Sequence, residues 1–336
     1  MIVWVLTDDR VGSNNQSIAI AEKLSRYYII KKIVYNSLIE LPNFIRRSSL
    51  IGINKEESDS LETDLPDIVV VAGRRLSSVA LNIKKRNNNR TFIVNIMNPD
   101  LPFDKFDVIL LPKHDKISKR LLNKGNIIET NGTINRVSSL KIKEETEKWK
   151  EFFKSYDRPL ISLIVGGDTK NYKFDPKEFG EMVKNLSALV NRKNGTLLIT
   201  TSRRTSDECL NQIKQKIDCD YYLYDWRLET DSSNLLKTNL GNPYYAFLGL
   251  SDFLVVTGDS MSMISEACST GKPTYVYMPK ESLGKKHLRF CADMLKDKYV
   301  KEFTKNTDDL EAYTYKPLDE LDRVVKLIYK KIEEKK

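Results

Sequence analysis

Short, almost wholly apolar runs recur along this chain, and each is followed by a polar loop and an amphipathic stretch. A strand that is apolar on both faces must be covered on both faces, and βαβ units with a parallel sheet supply that cover. Residues 2–6, 29–35, 67–72, 91–96 and 107–111 are the predicted strands of a first series. Helices are expected over 14–27, where Ile18, Ala21 and Leu24 share a face, and over 76–85 and 141–153. The stretch Ser155-Tyr156-Asp157-Arg158-Pro159 marks a boundary, because a second series starts behind it. There the strands are 160–165, 196–201, 221–224, 253–257 and 274–277; the helices are 176–190, 206–217, 244–250, 260–269 and 318–333. The fold class expected is α/β, with two Rossmann-like parallel-sheet domains facing a cleft. They cover residues 1–155 and 156–315, and a C-terminal helix lies within 316–336. Ligands of such sheets bind beyond the carboxyl ends of the strands.

A length of 336 residues is enough for two domains, each with its own core. No apolar run approaches the ~20 residues of a membrane span. The start MIVWVLTDD lacks the basic region of a signal peptide, so a cytoplasmic location is expected. The cysteines (Cys209, Cys219, Cys268, Cys291) contain no CxxC pair, and His114 and His287 are the only histidines. Neither a disulfide framework nor a bound metal is expected from that set. The net charge of +9 is uneven, residues 1–150 holding 25 Lys and Arg against 18 Asp and Glu. Basic clusters stand at Arg46-Arg47, at Lys84-Lys85-Arg86, and along Lys113, Lys116, Lys119, Arg120 and Lys124. A solvated surface is their plain explanation; the sharper one is peripheral contact with acidic membrane or an anionic acceptor. Nucleic acid is not expected, since no aromatic-plus-basic motif accompanies them.

Four loops of the second half carry polar residues where strands end. Thr257-Gly258-Asp259-Ser260-Met261-Ser262 follows the strand 253–257, with Gly258 for the turn and Asp259 or Ser260 as a helix cap. The N–H groups over 260–262 form an anion site, and Glu266 stands one to two turns further on, placed to accept from sugar hydroxyls. An ordinary capped helix is the bland account of the same residues. Gly166-Gly167-Asp168-Thr169-Lys170 lets a phosphate or sugar approach the backbone, or is a plain turn. Thr201-Ser202-Arg203-Arg204 puts two guanidiniums at a strand end, where they match phosphate oxygens or form surface ion pairs. Asn242 and Tyr244 line a base or sugar pocket, or Asn242 is a cap. Together the loops fit a nucleoside diphosphate.

In the first half, residues 7–16 stand where a dinucleotide-binding domain has Gly-x-Gly-x-x-Gly, which disfavours nicotinamide chemistry. Asp8, Asp9 and His114 all follow predicted strands and are the candidate general bases for an acceptor hydroxyl. For each of them taken alone, a loop-capping role is the commoner fate. Asp218-Cys219-Asp220 has the letters of a metal-binding DxD but precedes a strand instead of ending one. Gly258-Asp259-Ser260 fails the G-x-S-x-G elbow of serine hydrolases at Ser262.

The segments DDRVGSNNQSIAIAEKL, VVVAGRR, NIMNPD, LPKHD, TSRRTSDE and NPYYAFLGLSDFLVVTGDSMSMISEACSTGKP resemble the mitochondrial fission ("elongated mitochondria") protein family. Its bacterial members are assigned as glycosyltransferases, and the resemblance reaches nearly to residue 273. It implies a GT-B-like fold with the acceptor in the first domain and a nucleotide-sugar donor in the second. The implied reaction moves a sugar from a nucleoside diphosphate to an envelope glycan or lipid-linked acceptor, with no cofactor. Retaining members of that fold class often carry two glutamates separated by seven residues. Here Gly258 and Thr274 flank Glu266 at those positions, so inversion is favoured. The glycine-and-histidine acceptor loop of the peptidoglycan transferase is absent. The alternative is a catalytically degenerate scaffold acting as a membrane-associated adaptor.

Overall fold

The computed structural model describes residues 1–115, 118–135, 137, 139–169, 173–229, 239–279 and 283–335, without the side chains of 119, 120, 139, 228 and 229. The chain divides into two units, Met1–Arg136 with Asp319–Lys336, and Val137–Leu318.

The first unit runs β1 (Val3–Thr7), α1 (Val11–Leu24), β2 (Ile29–Lys32), α2 (Asn43–Arg46), β3 (Ile68–Ala72), α3 (Arg74–Arg86), β4 (Phe92–Ile96), β5 (Val108–Pro112), α4 (Lys119–Leu122) and β6 (Ile127–Thr130). The second runs α5 (Ser139–Lys150), β7 (Leu160–Ile164), α6 (Pro176–Arg192), β8 (Thr196–Thr200), α7 (Asp207–Lys216), β9 (Tyr221–Tyr224), α8 (Tyr244–Leu250), β10 (Phe253–Thr257), α9 (Met261–Cys268), β11 (Thr274–Tyr277), α10 (Lys285–Lys296) and β12 (Lys301–Phe303). The closing helix α11 (Glu320–Lys335) returns to the first unit. Each unit holds a six-stranded sheet, ordered β2-β1-β3-β4-β5-β6 and β12-β11-β10-β7-β8-β9, and every pairing within them is parallel. In the first sheet the order reverses between β1 and β3; in the second, between β7 and β10. These are the switch points where loops diverge and leave a crevice.

The central strands β1, β3, β4, β5, β7 and β8 are buried at every position, as runs covered on both faces require. β6, β12, α2, α4 and α10 were not anticipated. β6 (IIET) and β12 (KEF) are edge strands with polar residues, which leave no apolar run to detect.

The boundary lies near residue 136, earlier than the 155 expected, because α5 packs on α8 of the second unit. A Cβ on Gly249 would sit 1.9 Å from Thr146 Oγ1, and Trp149 and Phe153 share a cluster with Ala246 and Phe247. At the other end, Val324, Val325 and Ile328 of α11 pack into the core with Ala19, Ile20 and Leu24. Tyr329 donates to the Leu24 carbonyl at 2.8 Å and Lys23 pairs with Asp322 at 2.7 Å. No helix among the described residues is long and apolar enough to cross a membrane.

Candidate functional site

At the switch point of the second sheet, the loops after β7, β8 and β10 interlock. The Gly166 N–H donates to Thr257 Oγ1 at 2.8 Å, and the Gly167 N–H to Asp259 Oδ2 at 2.9 Å. The Gly166 carbonyl accepts from Ser202 Oγ at 2.5 Å and Thr205 Oγ1 at 2.6 Å. Arg204 joins the loops: Nη1 donates to the Gly167 carbonyl at 2.9 Å and Nη2 meets Asp259 Oδ2 at 2.9 Å. Asp259 is 3% exposed, and burial pushes its carboxyl above the ordinary aspartate range against the pull of Arg204. The paired glycines therefore serve the protein's own packing. Asp259 fills the space over Gly166, and the Arg204 carbonyl would lie 2.1 Å from a Cβ on Gly167. The space a Cβ would need on each is filled by the protein, and both N–H groups are bonded within it. Lys170 lies outside the described residues.

The two neighbouring arginines divide the work. Arg204 is committed inward, whereas Arg203 is exposed and has no hydrogen bond or ion pair among the described residues. Thr201 is buried and donates to Asp225 Oδ1 at 3.2 Å; Asp225 also pairs with Arg227 at 3.0 Å, and Arg227 donates to the Thr205 carbonyl at 3.1 Å. Asp225 and Arg227 were not anticipated, although Asp-x-Arg directly after β9 was visible as a signal.

Ser260 caps α9, its Oγ accepting from the Met263 N–H at 3.5 Å, so it is no free nucleophile. Ser262 is exposed in the first turn of that helix, and Gly258 turns the chain beneath the Tyr277 carbonyl, to which its N–H donates at 2.8 Å. Further along α9, Glu266 accepts a short hydrogen bond from the Tyr244 hydroxyl. Burial pushes the Glu266 carboxyl up to about 7. Asn242 accepts from the Tyr244 N–H at 2.9 Å, which serves the start of α8. In the DxD-like stretch, Asp218 accepts from Ser187 Oγ at 2.6 Å and braces α6.

In the first unit, the candidate bases separate. Asp8 accepts from the Arg10 N–H at 2.9 Å and from the Tyr35 hydroxyl at 3.3 Å, so both of its carboxyl oxygens are engaged. Asp9 is exposed and pairs with Arg75 at 3.0 Å. His114 is 2% exposed on the turn after β5, with Nε2 at 4.0 Å from Asp115. That burial withdraws it from an acceptor hydroxyl, which corrects its candidacy.

The mitochondrial fission ELM1 family model matches residues 11–332 of this chain. The chain belongs to the mitochondrial fission ELM1 family. The match spans both units and the loops after β7, β8 and β10; Asp8 and Asp9 stand just before it. Similar to this ELM1-family chain are an uncharacterized protein (RP120) of Rickettsia prowazekii, 30% identical over 98% of each chain, and the mitochondrial fission protein ELM1 of Arabidopsis thaliana, 26% identical over 82% of this chain and 66% of the plant protein. Among solved structures, the UDP-GlcNAc 2-epimerase of Methanocaldococcus jannaschii superposes with a TM-score of 0.56, covering 98% of this chain and all of the epimerase at 12% identity. The ELM1-family chain therefore has a GT-B-like fold of two parallel α/β sheets.

Proposed function

We propose that this ELM1-family protein binds a nucleoside-diphosphate sugar at the β7/β10 edge of its second unit and transfers the sugar, with inversion, to an envelope glycan or lipid-linked acceptor. The observation that carries the reading is Arg203. It is an exposed guanidinium with no hydrogen bond or ion pair among the described residues, on a loop braced by Ser202, Thr205 and Arg204. A braced loop presenting one uncommitted cation is preorganised for a diphosphate, whose charge grows as the glycosidic bond breaks. Arg203 and the α9 N–H groups would take that charge, so the proposed transfer needs no metal. The Glu266 oxygen not bonded to Tyr244 would accept from a sugar or ribose hydroxyl, with Tyr244 holding the carboxyl in place. The epimerase of similar fold is named for a UDP-sugar, which supports the donor class without choosing the base. Of the acidic candidates in the first unit, Asp9 has the exposed carboxylate and is the proposed base.

Calorimetric titration with UDP, GDP and ADP sugars tests the reading. Saturable binding of one of them, weakened by Arg203→Ala, is the expected result. Absence of binding by all three overturns it in favour of the adaptor, the reading that the plant relative's name supports.

A further inference from the structure

Helix α2 is built inside out. Its polar residues Asn43 and Arg46 are 0% and 1% exposed, whereas Phe44 and Ile45 are 72% and 47% exposed. The buried pair clasps the elements beneath. Asn43 Nδ2 donates to the carbonyls of Arg74 and Pro99, each at 2.8 Å. Arg46 donates from Nη2 to the Arg75 carbonyl at 2.8 Å, from Nε to the Ile51 carbonyl at 3.3 Å, and from Nη1 to Asn43 Oδ1 at 3.0 Å. These bonds fix α2 against the first turn of α3, so Phe44 and Ile45 are held outward by polar contacts on the opposite face. Leu38 and Ile51 extend the apolar surface; both are exposed, and Gly52 packs against the backbone of Leu38 and Ile39. Singly exposed apolar residues are ordinary, but a contiguous group on a rigid base marks a surface that meets something.

The rim is basic. Arg47 is exposed, its Nε donating to the Phe44 carbonyl at 3.2 Å, and Arg74 is 41% exposed. Arg75 lies beside it, over the Tyr35 ring. Glu40 faces Arg74 at 3.8 Å and Arg75 at 3.7 Å, and Asp9 pairs with Arg75. Of the basic clusters expected to meet a membrane, Lys84 pairs with Asp107 and Arg86 with Glu62, each at 2.7 Å, whereas Lys85 and Lys124 are exposed. Lys116 and the side chains of Lys119 and Arg120 lie outside the described residues.

We propose that Leu38, Phe44, Ile45 and Ile51, with Arg47 and Arg74, dock the first unit onto an anionic phospholipid bilayer. Phe44 and Ile45 enter the boundary between head groups and acyl chains, and the guanidiniums contact the phosphates. A second copy fits less well: a two-fold contact through this patch would bring the same cationic rim against itself in a chain of net charge +9. The inference rests on the reading that the first unit serves an anionic, lipid-linked acceptor.

The test is co-sedimentation of the full chain with vesicles of phosphatidylcholine alone or with roughly 30% phosphatidylglycerol, with UDP titrated into the same preparations. Wild type should pellet with the anionic vesicles and release in salt, and Phe44→Ser/Ile45→Ser should lower partitioning about tenfold. Arg47→Ala should lower it less. The serine substitutions are at exposed sites, and an unchanged circular dichroism spectrum checks the fold. Equal partitioning of wild type and the double variant, or no binding by wild type, overturns the proposal. So does a dimer in sedimentation equilibrium that the double variant dissolves. Vesicle binding lost with UDP binding intact removes this inference alone; UDP binding absent with vesicle binding intact supports it and removes the donor reading.

Discussion

The carboxylate of Asp259 occupies the space that a side chain on Gly166 would need. A Cβ built on that glycine would sit 2.1 Å from Asp259 Oδ2 and 2.6 Å from Oδ1. The loops after β7 and β10 are therefore one unit, closed by a carboxylate that bonds the Gly167 N–H and the Arg204 guanidinium. Gly166→Ala should push Asp259 off both partners, costing about 1–3 kcal/mol as overpacked sites do. Urea unfolding measures it, and a stability equal to wild type would falsify the interlock.

Arg203 and Arg204 should respond oppositely to the same substitution. Arg203→Ala should leave the thermal midpoint unchanged while weakening nucleoside-diphosphate binding by about 1.5–3 kcal/mol, the worth of a hydrogen bond to a charged group. Arg204→Ala strands the Asp259 carboxylate and should lower the midpoint itself. Calorimetry and thermal melts on both variants decide the matter; the reverse pattern would mean that Arg204 is the ligand-facing cation.

Glu266 gives a pH signature. Burial raises its folded-state value to about 7 from the ordinary 4.5. Between those values the unfolded chain has released the proton and the folded protein retains it. The stability linked to this group is therefore complete below about 4.5 and is lost as pH rises through about 7. Glu266→Gln keeps an acceptor for the Tyr244 hydroxyl without the titration, so its stability relative to wild type should increase between pH 5 and 8. Urea midpoints that differ by the same amount at both pH values would contradict the assignment.

The α5–α8 contact sets the division between units. Gly249→Ala would drive a methyl against Thr146 Oγ1 at 1.9 Å and Ile142 Cγ2 at 2.9 Å. A loss of about 1–3 kcal/mol is expected, with earlier proteolytic cleavage in the 137–157 segment. Unaltered cleavage and stability would show that α5 is only loosely held there.

Metal independence is the last expectation. Nucleoside-diphosphate binding should be the same with and without a chelator if, as proposed, Arg203 supplies the compensating charge. Binding abolished by chelation and restored by manganese would require acidic ligands that neither Asp218, bonded to Ser187, nor Asp259, bonded to Arg204, provides in its present role.

Much of this was legible in the residues. Strands such as β3 and β10 are continuous apolar runs, because a strand covered on both faces has no polar side to show. The loops that follow them were found for the same reason: a glycine, cap or charged pair right after such a run lies at the sheet's carboxyl edge. The edge strand β12 and the inverted helix α2 escaped, since an edge tolerates polar residues and α2 obeys contacts to Arg74 and Arg75, 31 and 29 residues away.

By itself, the order of apolar runs and loops determined the α/β class, the two-sheet plan and the sheet edge where the candidate donor loops gather. Tertiary structure alone decided what those loop residues do. Arg203 and Arg204 are neighbours of one chemical type, and only the packed position of Asp259 turns one inward and leaves the other exposed. Likewise Asp9 and His114 were equal candidates until folding exposed one carboxylate and buried one imidazole. Sequence order sets which groups reach an edge; the contacts made across it, between residues distant in the chain, set which of them remain available for chemistry.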